Sequence, residues 1–404
     1  MNQNKSITII NQYIGSPYHG MEYRHYYLAK NLIKQGYKVT LISGSYSHLF
    51  STLPKVEGRF TKEKIDEVEY IWVKTPSYKS SKSIGRIWNM LYFAWQLNFL
   101  RDLESSHIVV SSPSLFPVKI GQKLAKRFGT KFLFEVRDIW PLTLVELSNI
   151  KESHLLIRLM QYYEKFAYTH ADRVISLLPT AKEHFVSNGM APEKFVYLPN
   201  GIEVTEQKGE ILPAEIEDKI PKNKFIVAYS GTVGIANNLD YLIDVAESLR
   251  DNSTIHFIVL GQGGEKERLL KRVESLGLQN FIFLDAVKKE QVKTFLALVD
   301  VAFISLLPEK LFRFGVSPNK VFDYMYAKKP IIWAIEAGNN LVKDANCGLS
   351  VELNDIDNLK KAILRLSDLS SKSLHNLGEN GYNFVLNRHK YEKLAEELIK
   401  IVEE

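Results

Sequence analysis

One cysteine in 404 residues, Cys347, rules out intramolecular disulfides and argues against a chain shaped by an oxidising compartment. It stands in Ala-Asn-Cys-Gly-Leu with no histidine nearby and reads as a small buried residue. The ten histidines show neither a His-Glu-x-x-His helix nor a cysteine partner, so the sequence argues for no metal site. No stretch reaches the roughly 18 uninterrupted apolar residues of a membrane span. Residues 1–5 are polar and the apolar residues 7–10 are too few for a signal core, so no leader peptide is expected. Internal repeats and low-complexity tracts are missing too. What is present is a 45% hydrophobic, 24% charged chain, the composition of a globular protein. Its length favours two domains of about 200 residues, each with ample core.

Charge is unevenly spread. Residues 1–200 hold 26 Lys and Arg against 16 Asp and Glu, a net of +10, whereas the remainder hold 26 against 30, a net of −4. A basic first half suits a polyanion, either a membrane surface or a nucleic acid. No nucleic-acid recognition motif appears, so nucleic acid is not expected as a partner. The segment 84–100 carries Trp88, Tyr92, Phe93, Trp95 and Phe99, with Lys74, Lys79, Lys82, Arg86 and Arg101 around them. It reads either as a helix buried in the first domain or as a peripheral membrane contact, with aromatics at the interface and cations at the headgroups.

Short apolar strands alternate with amphipathic helices. Strands are predicted at 7–10, 39–42, 107–111, 131–135 and 173–177, with helices from 21 to 36 and near 117–128, 153–169 and 180–188. A polar, strand-poor stretch at 204–223 reads as a linker. A second series follows, with strands at 225–229, 255–260, 281–284 and 301–305 and helices near 239–250, 265–276 and 288–298. Such alternation demands parallel sheets covered on both faces. The prediction is α/β: two doubly wound Rossmann-like domains, 1–203 and 224–388, with 389–404 a terminal helix free to pack back on the first. Ligands of such sheets bind beyond the carboxyl ends of the strands, here in the cleft between the domains.

The most informative segment is Phe314-Gly-Val-Ser-Pro-Asn-Lys-Val-Phe-Asp-Tyr-Met-Tyr-Ala-Lys-Lys-Pro330. Ser317 reads as an N-cap, Pro318 as the first helical residue and Pro330 as the stop after Lys328-Lys329. The free amides of that first turn would suit a phosphate. Asn319 and Asp323 share a face at i, i+4, where the carboxylate could grip a diol. The string resembles the nucleotide-sugar motif of retaining glycosyltransferases of family four, which have the GT-B architecture, and the resemblance covers nearly the whole chain. His-Gly20-Met-Glu22-Tyr-Arg24 is similar to the family's first loop, in which the glycine backs onto the donor diphosphate. Phe134-Glu-Val-Arg137-Asp138-Ile-Trp140-Pro resembles an element of members that build bacterial surface polysaccharides. Ser230-Gly231-Thr232-Val-Gly234, Leu260-Gly-Gln-Gly-Gly264 and Phe283-Leu-Asp-Ala-Val287 resemble donor-side loops.

The resemblance implies a metal-independent transferase without a cofactor, taking a nucleoside-diphosphate sugar, most simply a UDP-sugar, to a lipid-linked glycan acceptor at the cytoplasmic membrane face. It implies donor contacts at Gly20, Gly231, Thr232, Val287, Ser317, Asn319, Lys320 and Asp323, and acceptor-side contacts at Glu22, Arg24 and Arg137. Asp138 is the candidate polar group for the acceptor, or else a structural cap before Trp140-Pro141. The family's first motif glutamate falls on Gly315, and its basic pair is missing between Ser230 and Asn238. Lys320 and Arg313 are the nearest replacements for the diphosphate charge, with Arg313 equally readable as a solvated loop cation. Asp355-Ile-Asp357 precedes Leu359-Lys-Lys-Ala-Ile and reads as a helix cap rather than a metal pair. Gly261-x-Gly263-Gly264 lacks the third glycine of a dinucleotide fingerprint. Two alternatives stay open: a UDP-sugar 2-epimerase of the same architecture, and a non-catalytic sugar-nucleotide binder.

Overall fold

The apolar runs become the central strands of two sheets. The structure, a computed structural model, describes residues 5–404 apart from 21–22, 81–82, 102, 149 and 205–208. The chain divides into one unit of Met1–Glu203 with Tyr391–Glu404, and a second of Val204–Lys390.

In the first unit the strands are β1 (Ser6–Ile10), β2 (Lys38–Gly44), β3 (Phe60–Ile65), β4 (Val68–Val73), β5 (His107–Ser111), β6 (Lys131–Val136), β7 (Arg173–Ser176) and β8 (Phe195–Tyr197). They form one sheet in the order β3-β4-β2-β1-β5-β6-β7-β8. All neighbours are parallel except β3, which pairs antiparallel with β4 at the edge. That hairpin was not legible from the alternating pattern. Every residue of β1 is buried, as helices on both faces of a parallel sheet require. The helices are α1 (Arg24–Lys34), α2 (Ile84–Leu97), α3 (Val118–Phe128), α4 (Leu142–Ser148), α5 (Leu155–His170) and α6 (Lys182–Ser187). The crossover through α1 runs from β1 toward the β3 edge, and those through α2, α3 and α5 run toward the β8 edge. Right-handed connection therefore puts α1 on one face and the other three on the opposite face. The α1 face joins Ile7, Ile9, Leu41, Val109 and Leu133 to Leu28 and Leu32, and to Leu394, Leu398 and Val402 of the C-terminal helix Tyr391–Glu403.

The second unit has β9 (Phe225–Ser230), β10 (Ile255–Leu260), β11 (Phe281–Leu284), β12 (Val301–Ser305), β13 (Ile331–Ala334) and β14 (Gly348–Ser350), all parallel, in the order β11-β10-β9-β12-β13-β14. Its helices are α7 (Ala214–Glu217), α8 (Asp240–Ser248), α9 (Lys266–Ser275), α10 (Lys289–Ala297), α11 (Asn319–Tyr326), α12 (Leu341–Ala345), α13 (Ile356–Ser367) and α14 (Ser371–Arg388). Strand order reverses between β9 and β12, which makes their carboxyl ends the switch point of this sheet.

Three local expectations are corrected. Residues 209–223 are part of the second unit rather than a free linker: Glu210 N–H donates to Glu290 O (3.1 Å), and Thr294 Oγ1 donates to Glu210 O (2.6 Å). Ser317 is not the cap of α11. Pro318 holds that position with an extended ψ of 121°, so the helix starts at Asn319. The helix also ends at Tyr326, because Lys328 turns left-handed (φ 56°) well before Pro330. Asp355 does cap α13, its Oδ1 accepting from Asn358 N–H at 2.9 Å.

Candidate functional site

At the carboxyl edge of the second sheet, the loops after β9 and β10 are locked to one another through glycine. Gly231 takes φ 142° and Gly261 φ 159°. A Cβ on Gly261 would lie 1.9 Å from Gly231 O, and one on Gly263 would lie 2.1 Å from Val233 O. Only bare backbone fits there. Tyr324 on α11 ties the end of β9 to that helix: Ser230 N–H donates to its hydroxyl (2.9 Å), which donates to Ser230 O (3.1 Å). Tyr324 is fully buried. Asn339 holds the other side, its amide pairing with Val316 N–H (2.8 Å) and Val316 O (3.0 Å) as a strand neighbour would.

Lys320 lies within this frame. Its Nζ donates to Tyr229 Oη (2.7 Å) and Asn237 Oδ1 (2.6 Å), and sits over the Tyr229 ring at 4.4 Å. The Tyr229 hydroxyl and Asn237 amide both pass on to Thr232 O, which orients them as acceptors for the lysine. A Cβ on Gly231 would come 3.4 Å from Lys320 Cε, so the open face of Gly231 exposes the lysine side chain. Burial pulls the Lys320 ammonium down to about 8. No carboxylate pairs with it among the described residues. A half-buried cation with only neutral partners, at a sheet switch point, is arranged to receive an anion.

Asp323, one turn on, is half-buried, and its carboxylate takes no hydrogen bond among the described residues. Burial pushes it up to about 6, with Lys289 opposing. Asn319 is exposed at the helix start, Ser317 is half-buried, and Thr232 is exposed beside Gly231. Val287 follows β11 on the same edge. There Lys266 Nζ donates to Gly261 O (3.1 Å), Leu284 O (3.2 Å) and Asp285 Oδ1 (2.7 Å), fastening the β10 and β11 loops together. Arg313 is exposed on a 3₁₀ turn, its guanidinium over the Phe314 ring at 4.2 Å and Nη1 on Lys310 O. Gly315 is buried at φ 99°, a conformation L side chains rarely adopt. A glutamate in its place would require the backbone to move.

In the first unit a buried charge network lies at the carboxyl ends of β5 and β6. Glu135 accepts from Arg24 Nε (3.0 Å) and Ser111 Oγ (2.7 Å), and its Oε1 lies 2.7 Å from His25 Nε2. Burial alone would raise the Glu135 carboxyl, but Arg24, His25 and Arg137 outweigh it and hold it well below the usual range. Burial pushes His25 down, against the pull of Glu135. Arg24 also donates to Leu198 O (3.0 Å), Pro199 O and Asn200 Oδ1 (3.4 Å). Arg24 is therefore an internal tether, not the acceptor contact predicted: at 3% exposure its donors are spent on the protein. Gly20 has a packing role of its own. A Cβ there would lie 2.8 Å from Leu49 O and Ser51 N, so packing within the loop already demands glycine. Glu22 lies outside the described residues. Arg137 is half-buried with its N–H on Ser112 Oγ (2.9 Å), and Asp138 is exposed after it.

Tyr229, Asn237, Tyr324, Asn339 and the Glu135–His25 pair escaped the sequence reading. Tyr324 lay inside the motif but had no signal distinguishing it from a core tyrosine. Lys320 was legible only as a substitute for absent cations.

Two family models match the chain: "Glycosyl transferase 4-like domain" over residues 19–201 and "Glycosyl transferases group 1" over residues 214–384. The chain is 24% identical over 262 residues to WcaI of Escherichia coli (strain K12), a glycosyl transferase named for colanic acid biosynthesis; the match takes in 60% of this chain and 64% of that one, just under two thirds of its length. It is 25% identical over 253 residues to an Escherichia coli protein named UDP-Gal:alpha-D-GlcNAc-diphosphoundecaprenol alpha-1,3-galactosyltransferase, covering 59% of this chain and 64% of that one. The solved structure of sucrose-phosphate synthase from Thermosynechococcus elongatus superposes over 98% of both chains with a TM-score of 0.72 at 16% identity, a likeness of fold alone.

Proposed function

Because the chain belongs to the group 1 and 4-like glycosyltransferases, we propose that it moves a sugar from a UDP-sugar to a lipid-linked glycan acceptor, with retention, in surface-polysaccharide assembly. The observation that carries the donor half is Lys320: an ammonium with no counter-ion among the described residues, opening at Gly231 between the β9 loop and α11. The diphosphate supplies the missing charge. Transfer breaks the bond between the sugar and the diphosphate and leaves negative charge on the phosphate. A donor held ready for that charge, already in place and half-dry, stabilises the transition state more than the ground state.

Asp323 takes the ribose hydroxyls. Its carboxylate takes no donors among the described residues, and two hydroxyls would provide them. Gly231 and Thr232 let the phosphates approach backbone, while Ser317 and Asn319 border the same edge. Arg137 and Asp138, after β6, form the acceptor side of the first unit. No step is assigned to a metal or cofactor. The relative named for a diphosphoundecaprenol acceptor supports the lipid-linked half, and the place of work is then the cytoplasmic membrane face.

A panel of nucleotide sugars with a lipid-linked acceptor, read by mass spectrometry, tests the reading. A new glycoside with released UDP is the expected product. An epimerised donor, or donor bound and unconsumed, would replace it by one of the two alternatives.

A further inference from the structure

The helices α2, α3 and α5 form one layer over the sheet face opposite α1, and the outer surface of that layer is unusual. On α2 and the turn after it, Trp88, Tyr92, Trp95 and Phe99 make a continuous outward ladder, with successive ring centroids 6.4, 5.4 and 5.0 Å apart. Trp88 is 60% exposed and Trp95 50%. On α5, Leu155, Leu159, Tyr162 and Phe166 follow at i, i+4, i+7 and i+11, one stripe of the helix. Leu155 is 82% exposed and Tyr162 53%. Each ladder carries a stacked cation: Arg59 lies 4.0 Å from the Phe99 ring centroid, and Lys119 lies 4.3 Å from that of Tyr162.

Between the ladders runs α3, whose Lys123, Lys126 and Arg127 are exposed. The three helices together contain seven Lys and Arg and one acid, Glu164. Glu164 is buried and accepts from Tyr168 Oη at 3.1 Å. Arg86 is the one cation of the seven that turns inward, its Nε on Tyr13 Oη at 3.1 Å. The outer surface of this layer therefore presents cations and large apolar groups with no helical carboxylate among them. Single exposed apolar residues are ordinary, but two ladders flanking a basic helix are not.

We propose that this whole layer is a docking face for an anionic phospholipid leaflet, with α2 and α5 inserting their ladders at the headgroup boundary and α3 lying against the phosphates between them. It deepens the lipid-linked acceptor reading and rests on it: an acceptor confined to a leaflet is met in two dimensions by a face that lies flat on that leaflet. The occupant follows from charge complementarity combined with aromatic and aliphatic side chains at interfacial depth. An acidic protein would satisfy the cations but not two parallel ladders on separate helices.

The test uses the full chain and vesicles of phosphatidylcholine, with or without phosphatidylglycerol. Binding is expected to be at least tenfold stronger on the anionic vesicles and to fall steeply with salt. Each cation near such a surface contributes roughly a fivefold gain in partition, so Lys123→Gln/Lys126→Gln/Arg127→Gln should lower it on the order of a hundredfold. Leu155→Ser/Tyr162→Ser should lower it at every salt concentration. These positions are exposed, so both variants should keep the parent melting temperature. Parent-like binding by both variants overturns the proposal, as does equal binding to neutral vesicles. Loss of a dimer by light scattering with vesicle binding unchanged assigns the face to a second copy and overturns it too. Transfer to a water-soluble diphosphate-linked acceptor is measured in parallel. Transfer without vesicle binding removes the docking face alone, and vesicle binding without transfer removes the acceptor reading while the face stands.

Discussion

Lys320 and Asp323 sit one turn apart on α11, and burial shifts both toward their neutral forms, in opposite directions along the pH scale. In the free protein Lys320 gives up its proton near pH 8, so UDP affinity should weaken as pH rises through that value. Lys320→Met should abolish this dependence and reduce turnover more than it reduces uridine binding, because in the proposed donor mode the lost charge faces the leaving diphosphate. Equal losses for uridine and UDP, measured by calorimetry, would contradict the assignment. Asp323 has its folded value raised from 3.8 to about 6. Its contribution to stability is therefore present below the unfolded value and lost as pH rises through about 6. Asp323→Asn should raise apo stability by about 1–2 kcal/mol at pH 7 and by little at pH 4. The same change should weaken UDP binding roughly tenfold, since in the proposed donor mode it removes charge-assisted hydrogen bonds to the ribose. A thermal melt at the two pH values, with a UDP titration, checks both. Arg24 is a different case. Replacing it by Met leaves Glu135 buried without its main cation, which costs about 3–5 kcal/mol. Circular dichroism should show the loss.

At the scale of the element, α2 separates two readings that its sequence left open. The helix is neither wholly core nor wholly surface. Met90, Phe93, Ala94 and Leu97 are buried, while Trp88 and Trp95 are wet. Phe93→Ala should destabilise the first unit by about 3–5 kcal/mol. Trp88→Ser/Trp95→Ser should leave the melting temperature within about 2 °C of the parent while releasing the protein from anionic vesicles. A double variant that unfolds would return those tryptophans to the core. Of the cations grouped around this helix in the sequence, Lys74, Lys79 and Arg101 are exposed, Arg86 turns inward, and Lys82 lies outside the described residues. The helix α11 has its own anchor. Tyr324→Phe strands Ser230 N–H, a buried donor, at about 1–3 kcal/mol, and loosens the loop that frames Lys320. Donor affinity should fall with stability, and hydrogen exchange at the end of β9 should quicken.

At the scale of the molecule, the chain's last helix belongs to the first unit, packing Leu394, Leu398 and Val402 against α1 and the sheet. Each such leucine contributes about 1.5–3 kcal/mol by burial, so deleting 391–404 removes more than a marginal domain can spare. Amides of α1 and β1 should lose protection while those of β9 and β12 keep theirs. Legibility followed burial for most of the inner strands. Strands such as 7–10 and 255–260 are covered on both faces, so their apolar runs announced them, and their alternation with helices determined two parallel sheets. The motif segment, the basic first half and the absence of disulfides were likewise properties of sequence alone. The edge strands β3, β8 and β14 were missed because they are half wet or only three residues long, and with them the inner β4 and β13, which are buried. What tertiary structure decided was always a matter of what meets a side chain from far along the chain. Resemblance singled out Arg24 near the start of the first helix, but only folding brought Glu135 and Leu198 to it. The missing basic pair nominated Lys320, but only the β9 loop, some 90 residues earlier, shows that its hydrogen-bond partners are neutral. Gly20 and Gly315 read as family positions until the backbone showed one packed against Leu49 and the other at φ 99°. A sequence records which residues share a face; the charge and packing that face encounters come from strands and loops brought together by the fold.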